Sequence, residues 1–251
     1  MEVIKQVVQF FLLSLSLGLV GCRPFTSLQQ TGLGFQKLVD AVALASFILF
    51  SFLFVLSFAS IKIIFVILVL ALLFSTTFFI KKENQKSLNY IGYAKIILLS
   101  MVAFLFTHTN LVLWSFFIIT SCLVGIVVYS MLLGHYYLVV PKLSEKILLK
   151  VVKVFFFILI LKIVCSLYGL YKAEQFLSLE GHMDSLFNLI IVLMRLLWGY
   201  VALAIIGFFS YKLTKMNSIQ SATGLLYVMV FFMIIGEVIS IYLYYQHGIF
   251  I

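Results

Sequence analysis

Eight apolar runs, each close to the roughly 20 residues a helix needs to cross a bilayer, dominate this chain and leave it no soluble fold. They fall at 3–21, 38–58, 61–80, 90–108, 111–134, 148–171, 187–210 and 221–245. Hydrophobic residues make up 65% of the 251 positions and charged ones 10%, where soluble domains are about half apolar and a quarter charged. The second and third runs are separated only by Ala59, Ser60, Ile61 and Lys62. A single segment over 38–80 exceeds one bilayer thickness, so a tight helical hairpin is expected there. The fold class that follows is an all-α integral membrane protein, a bundle of about eight transmembrane helices forming one polytopic domain over 1–251.

The basic residues set the orientation. Loops 1–2, 3–4, 5–6 and 7–8 carry Arg23, Lys37, Lys81, Lys82, Lys86, Lys142, Lys146, Lys150, Lys153, Lys212 and Lys215, eleven in all, against Lys5, Lys62 and Lys172 on the other side. The positive-inside rule then places both termini outside and the eleven in the cytoplasm of a bacterial-type inner membrane. The net charge of +9 is thereby explained by topology. No helix-turn-helix, RNP-like or zinc-finger spacing accompanies it, so nucleic acid is not an expected partner. Tyr90, Tyr93, Tyr136, Tyr137 and Tyr211 mark an inner aromatic belt, and Trp114, Tyr168, Tyr171, Tyr242, Tyr244 and Tyr245 an outer one. The longest outer loop, 172–186, is acidic, with Glu174, Glu180 and Asp184. Leu19-Val20-Gly21-Cys22 resembles a lipoprotein cleavage box. Cleavage there would send every basic loop outward, so the first run is kept as a helix.

Polar residues inside the runs demand a reason, because an ionised side chain in hydrocarbon costs at least ~2.5–3.5 kcal/mol. Lys162 lies nine residues before Tyr171, Arg195 eight after Phe187 and Glu237 eight before Tyr245. At the helical rise all three sit about 12–14 Å below the outer boundary. Each shares its face with small or polar neighbours. These are Cys165, Ser166 and Gly169 for Lys162, then Asn188, Trp198, Gly199 and Ala202 for Arg195, and Ser240 and Tyr244 for Glu237. Small-xxx-small pairs (Gly236/Ser240, Cys165/Gly169, Ser130/Gly134) permit close helix approach. Two arrangements follow. In one, Arg195 and Glu237 pair to fix two helices while Lys162 snorkels outward. In the other, all three line a buried site whose surplus positive charge takes an anionic or carbonyl-bearing ligand.

Other features have weaker readings. His135 stands where the fifth run reaches the inner face, level with the Gln220–Gly224 opening of the eighth, which Asn217 or Ser218 would cap. Such a helix N-terminus can attract an anion, which makes His135 a ligand-binding candidate. His108, His182 and His247, with Met183, lie on the outer side and are candidate copper or haem ligands, though none has a tight spacing. Lys146, Lys150 and Lys153 form a stripe suited to anionic lipid headgroups. Lys95 is expected to snorkel to the cytoplasm, and Asp40 to lie near the basic loops. Cys22, Cys122 and Cys165 form no CxxC pattern and suggest neither a disulfide framework nor zinc. There is no Walker A loop, dinucleotide turn, HExxH or GxSxG, and no loop long enough for a catalytic domain.

The function expected on these grounds is a carrier or binding protein, more a binder than an enzyme. It would hold a small anionic or lipid-like ligand at Lys162, Arg195 and Glu237, among the last three helices. The alternatives are a haem- or quinone-binding subunit, or an accessory factor, of a respiratory membrane complex. Membrane lipids are the expected partners, with a complex partner or a second copy of the chain beside them.

Overall fold

The computed structural model describes residues 2–55, 65, 68–73, 85–107, 110–140, 143–172 and 183–250. Every long element among them is a helix. In chain order they are α1 (Glu2–Cys22), α2 (Leu28–Val55), α3 (Gln85–Phe106), α4 (Leu111–Val139), α5 (Lys146–Lys172), α6 (Met183–Leu196), α7 (Leu203–Lys215) and α8 (Ile219–His247). A 3-10 turn, Arg23–Phe25, follows α1, and a π-helical stretch, Leu197–Ala202, makes α6 and α7 one continuous rod. Among the described residues five segments are long and apolar enough to cross a membrane: Glu2–Phe25, Gln30–Phe54, Leu111–Val139, Leu189–Lys215 and Ile219–His247. The Ala59–Lys62 turn, most of the third run and most of the acidic segment 172–186 lie outside the described residues.

The helix α4 is the hub because it is apolar on every face and carries no charge. Such a helix is stable only when surrounded. Side chains from Leu123 to Ser130 are all buried. Asn110 starts it, with Oδ1 accepting from the Val112 and Leu113 N–H groups at 3.0 and 3.2 Å. The most extensive partner of α4 is α1, followed by α8 and α5. The approach of α1 is backbone to backbone. A Cβ built on Gly18 would stand 2.0 Å from the Ser121 carbonyl oxygen, and one on Gly125 would stand 2.3 Å from the Gly18 carbonyl carbon. The motif is the small-residue crossing expected where helices must pack without a hydrophobic drive between them.

Lipid-facing positions carry large apolar side chains, among them Phe52, Phe157 and Phe231, all at least 60% exposed. Such an exterior suits contact with lipid. Tyr90, Tyr93, Tyr168 and Tyr171 are exposed near helix ends, as interfacial anchors are. Tyr137, Tyr244 and Tyr245 instead turn inward. Tyr137 is buried and donates to the Ser144 carbonyl, while Tyr244 packs on Phe250 and Tyr245 on Phe10.

Four sequence expectations need correction. The second apolar run spans 38–58, yet α2 is helical from Leu28, with a break at Gly32 (φ 70°, ψ 174°). Polar side chains in 28–37 suggest a loop, but Thr31 and Gln36 are buried inside the bundle. Gln36 is satisfied there by Arg23 and Thr26. Lys95 does not snorkel: it is fully buried and donates to Asp40 at 2.9 Å. Arg23, counted among the loop bases, is only 7% exposed and belongs to the same cluster. At the head of α8, Ser218 occupies the cap position, but its hydroxyl donates to Ser221 Oγ and makes no bond to a backbone N–H.

Candidate ligand site

The helices α5, α6 and α8 each contribute one charged side chain to a single buried point. Glu237 on α8 accepts from both cations, one per oxygen. Arg195 donates to Oε1 at 2.8 Å and Lys162 to Oε2 at 3.1 Å. Each of the three residues is fully buried. Lys162 therefore does not snorkel. Its remaining protons go to Thr120 Oγ1 of α4, and its ammonium sits 4.1 Å from the centre of the Phe116 ring, a cation–π contact. Burial of such a pair is tolerable only with the hydrogen bonds that complete it. Here Thr120 supplies one on the lysine side, beside the Phe116 cation–π contact, and Tyr200 one on the arginine side.

The π-helical stretch explains Tyr200. In an α-helix residues five apart point about 140° away from each other. A π turn, bonded i to i+5, brings them onto one face. Arg195 Nη2 accordingly donates to the Tyr200 hydroxyl at 2.8 Å, and its guanidinium lies 4.2 Å from the Tyr200 ring centre. Tyr200 in turn meets the Ser166 hydroxyl of α5, which closes the ring of contacts back to the helix that bears Lys162. The same local unwinding turns Trp198 away. It is 41% exposed and stacks on Phe232 at 5.0 Å, off the arginine face on which it was expected.

Two glycines make room for the guanidinium. A Cβ on Gly199 would lie 2.2 Å from Arg195 Nη1, and one on Gly236 would lie 2.5 Å from Gly199 Cα and 2.8 Å from the same nitrogen. Gly199 and Gly236 face one another where the π-helical stretch meets α8, and the arginine fills the notch. Tyr200→Phe should keep this notch but remove the acceptor of Arg195 and the partner of Ser166. The expected loss is about 1–3 kcal/mol, read as a lowered midpoint in a detergent unfolding titration.

A cleft of about 790 Å³ opens beside the ion pairs, between the N-terminal turns of α4, the C-terminal half of α5 and the segment after α8. Val112, Ile119, Val164, Ile249 and Phe250 make its walls largely apolar, while Lys162, Ser166 and His247 give it polar points. Only 1% of the Lys162 side chain is exposed, so the ammonium lies behind the cleft wall and not in open space. Phe116 is the partition, in contact with Lys162 on one side and with Phe250 at 5.2 Å on the other. Gly248, in the left-handed region at φ 73°, caps α8 and turns the chain back over the cleft. Gly169 admits it, since a Cβ there would meet the Phe250 carbonyl oxygen at 1.7 Å.

The remaining candidates lie elsewhere or outside what is described. His135 is exposed and shares a hydrogen bond of 2.9 Å with the Tyr227 hydroxyl. It lies fifteen residues beyond Thr120 on α4, about 22 Å along the axis, and takes no part in the Glu237 cluster. His247 lines the cleft. His108 and His182 are outside the described residues. No group of three or more His, Cys, Asp or Glu side chains able to hold a metal occurs among the described residues. Thr120, Phe116 and Tyr200 complete the site but were not singled out from the sequence.

Comparison with known protein families, with curated proteins and with solved structures finds no match for this chain.

Proposed function

We propose that the chain is an eight-span protein of a bacterial-type inner membrane, with both termini outside, that binds or carries an anionic, lipid-like ligand in the cleft beside Lys162. The observation that carries this reading is the pairing of a largely apolar cleft of about 790 Å³ with a lysine at its inner wall. That volume lies within the ~300–1,000 Å³ range of small-molecule sites. The sign of the ligand follows from Lys162, a cation at the inner wall of the cleft. Arg195 lies behind it on the other oxygen of Glu237, which leaves Lys162 as the group that engages the ligand. Phe116 moves aside to admit the head, and the apolar walls take the chain.

The full-length protein in a mild non-ionic detergent is the test material. Decanoate should raise its unfolding midpoint in a saturable way, the shift equivalent to about 2.7 kcal/mol of stabilisation at a hundredfold excess over Kd. Decanol, of the same length but uncharged, should do little. Equal stabilisation by both would mean that Lys162 plays no part, and this reading would be withdrawn.

A quinone headgroup is a second reading. It is favoured by the aromatic faces of Phe116 and Phe250 and by the Lys162 and Ser166 donors within one cleft. Extraction of the protein from its native membrane with a bound ultraviolet-absorbing quinone would support it over a carboxylate. A reduction-dependent Soret band would instead point to haem.

A further inference from the structure

A second buried charge cluster lies against the other half of α4. Arg23 in the 3-10 turn, Asp40 on α2 and Lys95 on α3 are 7%, 1% and 0% exposed. Lys95 donates to Asp40 Oδ2 at 2.9 Å, and Arg23 Nη1 stands 3.5 Å from that same oxygen. Arg23 Nε donates to Gln36 Oε1 at 3.2 Å, Gln36 Nε2 to Thr26 Oγ1 at 3.0 Å, and Thr26 Oγ1 shares a 2.6 Å bond with the Tyr129 hydroxyl of α4. Tyr129 is nine residues beyond Thr120, about 13 Å along the helix. The same functional groups thus occur twice, at two depths beside α4: an arginine, a lysine, a single carboxylate, a tyrosine hydroxyl and a threonine hydroxyl.

The two clusters differ at their carboxylates. Both oxygens of Glu237 are taken by cations. At Asp40 both cations crowd Oδ2, while Asp40 Oδ1 and Arg23 Nη1 have no hydrogen-bond partner among the described residues. Orphaned charged groups at this depth are costly. One orphan accepts and the other donates, so a single bridging group that offers a lone pair to Nη1 and an O–H to Oδ1 satisfies both. Charge narrows the choice further. Two cations face one carboxylate among the described residues of the cluster, so a bridging anion with one negative charge leaves no residue of charge behind. Water meets the hydrogen-bonding demand and not this one. Gly92 of α3 faces the guanidinium, and a Cβ there would meet Nη1 at 3.6 Å, an ordinary contact, with nothing else within 4 Å.

We propose that Arg23, Asp40 and Lys95 bind a small free oxyanion that retains a proton, of the hydrogencarbonate or dihydrogen-phosphate type. One oxygen accepts from Arg23 Nη1, the O–H donates to Asp40 Oδ1, and the net charge is balanced beside Lys95. A halide has no proton to give Asp40, and sulfate has lost its own at neutral pH. The enclosure of the cluster selects a free anion over a headgroup with an ester chain. This site does not depend on the cleft beside Lys162.

Thermal unfolding of the full chain in detergent, titrated with inorganic phosphate in slightly acidic buffer, tests the assignment against sulfate and chloride at matched ionic strength. Phosphate should bind at least about tenfold more tightly than sulfate, the ratio one hydrogen bond to a charged acceptor supplies. Gly92→Ala places a methyl beside Nη1 and leaves every charge in place. It should weaken phosphate binding at least about tenfold with little change in the phosphate-free midpoint. Lys162→Met should leave the phosphate response unchanged. Equal responses to the three anions, no response to phosphate, or an unaltered phosphate affinity in Gly92→Ala would overturn the proposal.

Discussion

Glu237→Gln is expected to cost the folded bundle about 3–5 kcal/mol, enough to leave little folded protein in detergent. Glu237 is the only carboxylate among the described residues that touches Lys162 and Arg195, and all three are fully buried. Glutamine is nearly the same size and still accepts one hydrogen bond, so shape is preserved while two cations lose their counter-charge. Removing one partner of a buried ion pair costs about that much because the other is stranded without water. The loss should appear as a collapsed unfolding midpoint and as a protein that elutes aggregated from size-exclusion chromatography. Near-native stability of Glu237→Gln would show that water or other groups reach the cluster freely.

Gly125→Leu is expected to prevent α1 and α4 from packing at all. The two backbones touch at Gly18 and Gly125, where even a Cβ would penetrate to 2.3 Å or less. Atoms that close cannot be relieved by a rotamer change, since the neighbour is main chain. Gly125→Ala already forces the helices apart and should cost about 1–3 kcal/mol or more, the usual penalty of overpacking. Leucine adds three further carbons at the same point. The α1–α4 contact is the most extensive in the structure, so its loss should abolish a cooperative unfolding transition. Proteolysis of the purified variant should then cut between α1 and α2, where the parent protein should resist.

Much of this architecture was legible in the sequence because bilayer thickness leaves a simple signal. Runs of apolar residues mark helices whatever their packing, and ionisable residues inside them mark the interior. Lys162, Arg195 and Glu237 share a depth that residue counting recovers, and the structure joins them through Glu237. Their partners were harder to see for two reasons. Tyr200 reaches Arg195 only because residues 197–202 are π-helical, and a period of 3.6 residues places it on the wrong face. Thr120 and Phe116 come from a helix whose uniform apolarity hides which face meets α5.

The second cluster was misread for a related reason. Arg23, Asp40 and Lys95 lie near ends of apolar runs, where charge is ordinarily solvated. Burial there comes from the extra turns of α2 and from Gln36, which a hydropathy pattern assigns to a loop. The Gly18–Gly125 crossing was in plain view as Ser14-xxx-Gly18 and Ser121-xxx-Gly125, spacings that match those noted elsewhere in the chain. Spacing alone does not say which of several small-residue pairs actually meet.

Lys162→Met puts the central claim to the most direct test, because binding and stability should part company. Methionine fills nearly the same volume and leaves the Arg195–Glu237 pair at 2.8 Å intact and neutral, so the variant should be at least as stable as the parent. Decanoate titrated into it should no longer raise the unfolding midpoint. A variant that keeps the decanoate response would contradict the assignment of Lys162 as the group that holds the ligand. One that unfolds as readily as Glu237→Gln would show the lysine to be a structural member of the ion-pair cluster.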